Sequence, residues 1–146
     1  MKNFVFILFA LLIFAFNACH RNCTKVSGPN DVSYNSVSPP DCTAGTFTVN
    51  SIADFDLYCP GGATPTAWDF TNKTYFIINK SYCAVWPYLA DVGNDPSDSN
   101  TIVVTLGIPC DNGSPRPQIC HPAIFGIEVT KTTKSFVVVE KNEGVD

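Results

Sequence analysis

The amino-acid sequence predicts a mostly β protein, a single small antiparallel sandwich or barrel of about seven strands that is stabilised by disulfide bonds. The acidic residues are ten Asp but only three Glu, and Asp favours turns whereas Glu favours helices. Beyond residue 18 there are three Leu and no Met, while Val, Ile, Thr and aromatic residues are common, as in strands. The seven cysteines supply the third observation, since they suit a covalent framework.

The charge of the chain argues against binding to nucleic acids and to anionic membrane surfaces. The net charge is −4, with nine Lys and Arg spread thinly along the chain. Such a chain has neither the basic surface of a nucleic-acid-binding protein nor a polybasic patch for an anionic membrane. We therefore expect no nucleic-acid partner and no membrane contact except through the N-terminus.

The N-terminus predicts export. Residues 4–16 (FVFILFALLIFAF) form an apolar stretch after Lys2, long enough for a signal peptide but shorter than the roughly 20 residues that span a bilayer. The following Phe-Asn-Ala-Cys at 16–19 resembles the lipobox of bacterial lipoproteins, in the loose form found in Bacteroidota. The resemblance covers residues 1–19 only. It implies that residues 1–18 are removed and that Cys19 is lipidated and anchors the protein in the cell envelope; the alternatives are ordinary secretion and an uncleaved anchor.

The cysteine count agrees with this reading. An odd number in an exported protein needs an explanation, and lipidation of Cys19 leaves six cysteines for three bridges. The candidates are Cys23, Cys42, Cys59, Cys83, Cys110 and Cys120. Six cysteines allow fifteen pairings. An Asn-Gly turn signal favours Cys110–Cys120 at the base of a hairpin, and the remaining guesses are Cys23–Cys42 and Cys59–Cys83. Zinc is disfavoured because no Cys-x-x-Cys is present, so we expect no metal and no cofactor.

The chain divides at residue 45. Residues 19–45 are rich in Ser, Pro, Asn and Gly and predict a tether or an irregular N-terminal arm, whereas 46–146 predict the β domain. Turn residues separate seven strand-like runs, at 46–50, 55–59, 74–78, 82–86, 101–108, 123–130 and 135–140. Turns are predicted at 79–80 and 131–134, and a polar loop at 91–100.

Alternation assigns faces to some of these strands. It places Phe47 and Val49 inward. It also predicts that two further sets each share one face: Ile102, Val104, Leu106 and Ile108, and Phe125, Ile127 and Val129.

Catalytic signals are weak. The two histidines, His20 and His121, stand in no nucleophile motif, and no metalloprotease or P-loop pattern is present. An enzyme is therefore less expected than a binding protein. A carboxylate-dependent hydrolase that uses Asp54, Asp56 or Asp69 stays open as an alternative, because carboxylate pairs have no sequence signature. The Asp- and Asn-rich residues 91–100 could offer oxygen ligands to Ca²⁺ but lack the EF-hand spacing, and an exposed loop is the favoured interpretation.

Binding candidates are aromatic. Tyr82, Trp86 and Tyr88 would share a face if one strand continued through Pro87, and with Trp68 they could stack on sugars or anchor a protein. Core filling is the favoured alternative reading of these rings. A second candidate surface is the loop between Cys110 and Cys120, where Asn112 and Arg116 are the binding candidates. Arg116 precedes a proline, which disfavours trypsin-type inhibition, and a rigid connection is the favoured reading.

Taken together, these patterns predict an exported or cell-envelope β binding module with an unknown protein or glycan ligand. The alternatives are a secreted effector or inhibitor acting on a foreign protein, and the carboxylate-dependent hydrolase. The sequence predicts no oligomeric state.

Overall fold

The computed structural model describes residues 23–28, 31–83, 85–110 and 119–145. In chain order the elements are β1 (Cys23–Thr24), β2 (Tyr34–Val37), β3 (Gly45–Val49), α1 (Ile52–Tyr58), β4 (Lys73–Cys83), β5 (Tyr88–Asp95), β6 (Asp98–Ile108), β7 (Cys120–Thr130), β8 (Ser135–Asn142) and β9 (Gly144–Val145). Within these ranges no helix has the length and apolar character needed to cross a membrane.

Two sheets form the body of the domain. The first has the order β2-β7-β4-β3 and is antiparallel throughout, and the second has the order β5-β6-β8. The predicted mostly β sandwich is confirmed, and the barrel alternative is not observed because the sheets stay separate. One pair departs from the antiparallel prediction: β8 runs parallel to β6. The intervening β7 belongs to the first sheet, so residues 131–134 carry the chain between sheets rather than closing a hairpin.

The space between the sheets holds the main core. It consists of buried side chains from four strands: Phe76, Ile78, Val92, Ile102, Val104, Leu106, Ile127 and Val129. The face assignments made from alternation in 101–108 and 123–130 are confirmed for the residues of this cluster, because every second side chain of a strand points to the same face.

A second core covers the opposite face of the first sheet. Val49, Tyr75 and Ile77 of that sheet pack against Phe55 and Cys59 at the helix. Phe47, Trp68 and Phe70 lie against this cluster as partly buried neighbours. The first sheet is therefore buried on both faces, and the inward placement of Phe47 and Val49 is confirmed.

Helix α1 contradicts the strand predicted at 55–59. The Ser51 Oγ accepts a hydrogen bond from the Asp54 N–H at 3.1 Å, and an Asp54 carboxylate oxygen accepts one from the Asn50 N–H at 2.9 Å. This reciprocal capping begins a helix at 52. Phe55 and Cys59 lie four residues apart, so one helical turn brings both onto the sheet.

Two loop predictions are also wrong. Strand β4 does not turn at 79–80, because β7 pairs with it continuously from Lys73 to Cys83. Asn79 instead donates a side-chain hydrogen bond to the Cys42 carbonyl at 2.8 Å. The predicted polar loop at 91–100 is the β5–β6 hairpin, whose Asp95 carboxylate accepts the Ser97 N–H at 2.8 Å.

Part of the segment interpreted as a tether belongs to the sandwich. Residues 34–37 form β2 and pair with β7, with Tyr34 opposite Val129 and Val37 opposite Gly126. A Cβ on Gly126 would lie 2.5 Å from the Val37 carbonyl oxygen, so only glycine permits this close approach.

All six candidate cysteines are paired, as Cys23–Cys110, Cys42–Cys59 and Cys83–Cys120. Each of the three pairings predicted from the sequence is wrong. The predicted Cys110–Cys120 hairpin does not exist because β6 and β7 lie in different sheets. Cys83 and Cys120 instead stand opposite each other at the ends of β4 and β7, with Cα atoms 3.9 Å apart.

Removal of the Cys83–Cys120 bridge tests this pairing. The bond closes a loop of 37 residues, for which the chain-entropy account gives about 3–4 kcal/mol of stabilisation. We expect the double variant Cys83→Ala/Cys120→Ala to lose that amount in urea unfolding. A non-reduced peptide map that joins Cys110 to Cys120 would contradict the topology.

A pair of helix variants tests the second core. Phe55 is fully buried whereas Leu57, on the same helix, is 68% exposed. We expect Phe55→Ala to lower the free energy of unfolding by about 3–5 kcal/mol through cavity formation. The control Leu57→Ala should change it by less than about 0.5 kcal/mol. Equal losses in the two variants would show that α1 does not pack through Phe55.

Candidate functional site

Trp86 is an exposed ring at one end of the sandwich. It lies between β4 and β5 and is 63% exposed, although Pro87 beside it is buried. Its indole stacks on the His121 imidazole, with ring centroids 5.0 Å apart and planes inclined by 19°. A large aromatic side chain left in water and held in one orientation is a typical feature of a recognition surface. We call this pair the aromatic platform.

The β4–β7 pairing positions the platform. His121 follows Cys120 in β7 and stands opposite Tyr82 of β4, one residue from the Cys83–Cys120 bridge. The disulfide therefore holds the two strand ends in register at the point where Trp86 packs.

A polar network begins at Tyr82, which stands opposite His121 of the platform in the β4–β7 pairing. The Tyr82 hydroxyl donates to Glu140 Oε1 at 2.8 Å, and the Lys80 ammonium group donates to the same oxygen at 3.1 Å. Lys80 and Tyr82 are two residues apart in β4 and so share a face. Glu140 belongs to β8, hence the Lys80–Tyr82–Glu140 network joins the two sheets at the end of the sandwich.

The network shifts the pKa values of two of its members, Tyr82 and Glu140. Burial, and then the hydrogen bond and negative charge of Glu140, raise the pKa of Tyr82 far above its usual range. The hydrogen bond from Tyr82, followed by the interaction with Lys80, lowers the pKa of Glu140. At neutral pH the Tyr82 phenol is therefore neutral and Glu140 is a carboxylate.

Trp68 has a different environment from Trp86. Its ring stacks on Tyr75 with centroids 4.2 Å apart and meets Phe55 edge-on at 5.6 Å. These contacts place it in the second core, which agrees with the core-filling reading for this residue.

Tyr88 joins a segment near the N-terminal end of the described chain to one near its C-terminal end. Its hydroxyl accepts a hydrogen bond from the Val26 N–H at 3.0 Å and donates one to Glu143 at 3.1 Å. Its ring covers Gly107, where a Cβ would lie 2.3 Å from a ring carbon. The predicted row of Tyr82, Trp86 and Tyr88 on one strand is wrong, because β4 ends at Cys83 and Tyr88 begins β5 in the other sheet.

Three residues that the sequence analysis proposes for lipidation or binding, Cys19, Asn112 and Arg116, lie outside the described residues. Sequence reasoning also missed two members of the network, Lys80 and Glu140. The spacing of Lys80 from Tyr82 carries a signal for the first, but nothing local indicates Glu140, which is 58 residues from Tyr82.

The carboxylates proposed for hydrolysis have other roles or positions. Asp54 completes the cap of α1, Asp56 is exposed on that helix, and Asp69 accepts the Thr71 N–H at 3.0 Å in a turn. A cavity of about 310 Å³ lies at the opposite end of the sandwich from Trp86, lined by residues that include Asp31, Asn94 and Lys134. Among the described residues that line it, Asp31 is the one acidic residue, so these residues supply no carboxylate pair.

Within the described residues, one group of three side chains brings potential metal-ligand atoms close together, namely Cys23, Cys110 and Glu143. The two sulfur atoms are joined in a disulfide, whereas a metal takes thiolates. Glu143 accepts the Cys110 N–H at 3.0 Å, so it supports the bridge instead.

Comparison with known proteins gives no assignment for this geometry. No protein-family model matches the chain, and neither a curated protein nor a solved structure matches it. The function is therefore inferred from the residues of the site alone.

A Tyr82→Phe variant tests the electrostatics of the network. Loss of the strongest hydrogen bond should move the pKa of Glu140 upward, toward its ordinary value of 4.5. In the unmodified protein, the folded-state pKa lies below the unfolded one. The stabilising effect of the Glu140 carboxylate is therefore present above pH 4.5 and is lost as the pH falls through the folded-state pKa.

Carbon-detected NMR titration of the glutamate side chains measures this shift. Glu128, whose pKa is lowered chiefly by the hydrogen bond from Asn35, is the internal control and should titrate unchanged. An unaltered Glu140 titration in the variant would show that Tyr82 does not bind the carboxylate.

Proposed function

We propose that this protein is an exported binding module, anchored in the cell envelope through a lipid on Cys19, that recognises its ligand at the aromatic platform. The observation that carries the binding half of this proposal is the exposure of Trp86 while it is held in a stack on His121. A Trp ring offers a large apolar contact area and Trp is enriched among the residues that carry binding energy, so an exposed ring in a stack supports a binding role.

The disulfides support export. Three bridges are typical of proteins that fold in an oxidising compartment. They use all six cysteines that follow Cys19 in the sequence. This arithmetic supports a separate role for Cys19, and lipidation is the role that the resemblance of residues 16–19 to a lipobox implies.

The site favours binding over hydrolysis. A typical glycosidase places two carboxyl groups about 5–10 Å apart across the scissile bond. The network beside Trp86 contains one carboxylate, Glu140, and its oxygen already accepts hydrogen bonds from Tyr82 and Lys80. The inhibitor alternative depends on Arg116, which lies outside the described residues, and no observation favours it.

Intact mass of the mature protein tests the export half. From a lipoprotein-processing bacterial host we expect a chain that begins at Cys19, carries acyl groups, and gains two hydrogens for each of three bridges on reduction. Cys19→Ser should release the protein from the membrane fraction. The matched control Cys23→Ser/Cys110→Ser also loses cysteines but should stay with the membrane. An unmodified mature chain that starts after Cys19, or a cytosolic protein with free thiols, would refute this half.

Parallel arrays test the binding half. Labelled protein is applied to a glycan array and to a protein array, beside the variants Trp86→Ala and Leu57→Ala. We expect signals that Trp86→Ala abolishes and that the control retains, since Leu57 is equally exposed but lies on α1. Absence of any Trp86-dependent signal on both arrays would refute recognition at the platform.

A further inference from the structure

We infer that the ligand of the aromatic platform is a neutral saccharide, with a pyranose ring stacked on the free face of Trp86 and its hydroxyl groups bonded to the Lys80–Tyr82–Glu140 network. This inference rests on the proposed binding function and names the chemical class of its ligand. Four features of the site carry it.

The first feature is the isolation of the ring. Of the other exposed large apolar side chains in the described part of the chain, Ile52 and Leu57 lie on α1, Val137 on β8, and Ile124 on the face of β7 opposite to His121. Ile119, two residues before His121, lies at the same end of the sandwich as the platform. A protein interface has a contiguous apolar core with a polar rim around it. One indole ring with one neighbouring aliphatic side chain, bordered by hydrogen-bonding groups, offers less than that, and its flat indole face matches the apolar face of a sugar ring.

The second feature is the supply of free hydrogen-bonding groups. Within the described residues, both hydrogen bonds to the Glu140 carboxylate end on Oε1, so Oε2 can accept from a ligand hydroxyl. An ammonium group has three donors, and Lys80 uses one of them on Glu140. Each sugar hydroxyl is both a donor and an acceptor. The network therefore complements two adjacent sugar hydroxyls. Glu140 accepts a hydrogen bond from one of them, and Lys80 donates a hydrogen bond to the other.

The third feature is the balance of charge. Lys80 and Glu140 form an ion pair with nitrogen and oxygen 3.1 Å apart, so the network as a whole offers no net charge to attract an ionic ligand. A cationic ligand such as a quaternary ammonium needs several aromatic faces around it. His121 already covers one face of Trp86. A neutral ligand fits better than either an anion or a cation.

The fourth feature is rigidity. The Cys83–Cys120 bridge and the continuous β4–β7 ladder hold Lys80, Tyr82 and His121 on paired strands before any ligand arrives. Sugars lose rotational freedom of their hydroxyl groups on binding, so a site that needs no further ordering retains more of its interaction energy.

The test uses the two tryptophans of the chain. In a Trp68→Phe background, which keeps an aromatic ring in the second core, all indole emission comes from Trp86. This protein is titrated with cellotetraose, chitotetraose, xylotetraose and mannotetraose, and with any hit from the glycan array. We expect a blue shift on saturation with at least one saccharide, because the sugar removes the indole from water.

Calorimetry with the same saccharide then locates the contacts. We expect Trp86→Ala and Glu140→Gln each to weaken affinity at least tenfold. The matched controls Leu57→Ala and Glu128→Gln should bind as the unaltered protein does, because Glu128 pairs with Lys73 away from the platform. Circular dichroism and thermal unfolding establish that each variant is folded.

The outcomes separate the two proposals. If no glycan binds but a Trp86-dependent signal persists on the protein array, the saccharide inference fails and the binding function stands. If a saccharide binds with undiminished affinity to folded Trp86→Ala, the site is elsewhere and the inference also fails. If neither array gives a Trp86-dependent signal, both proposals fall.

Discussion

The pairing of β4 with β7 is the interaction on which the rest of the structure depends. The two strands match residue for residue from Lys73 opposite Thr130 to Cys83 opposite Cys120, and a disulfide joins the last pair. Both faces of this ladder are buried for most of its length, one under the second sheet and the other under α1 and Trp68. Both cores pack against this pair of strands, so neither core could form without it. The β4–β7 pair is therefore the structural centre of the domain.

Along β4, one face passes from buried core residues to the polar residues of the candidate site. Phe76 and Ile78 fill the space between the sheets, and the next two side chains on that face, Lys80 and Tyr82, reach the end of the sandwich and bind Glu140. Strand periodicity requires these four residues to point the same way. The polar network therefore caps the core and at the same time offers hydrogen-bonding groups to solvent beside Trp86. The hydrogen bonds of this network therefore both stabilise the end of the sandwich and hold the groups that the proposed function uses.

The errors in prediction have one physical origin. The sequence predicts a strand at 55–59 because turn residues end a strand-like run there, but Ser51 and Asp54 cap a helix and its buried side chains cover the sheet. The predicted turn in β4 depends on Asn79 and Lys80, of which Asn79 is a residue that favours turns in isolation. In the protein β7 supplies partners along the whole strand and Cys42 accepts from the Asn79 side chain. Tertiary contacts outweighed local preference at each of these places.

The sequence by itself determined the strand-rich class, the alternating faces of β6 and β7, and the identity of the cysteines that form bridges. These properties depend on composition and on the two-residue period of a strand, which are local. Only the tertiary structure decided which cysteines meet, that β6 and β8 run parallel, and that Glu140 lies against Tyr82 from 58 residues away. Such contacts join segments that are distant in sequence, and no local pattern records which distant segments a chain will bring together.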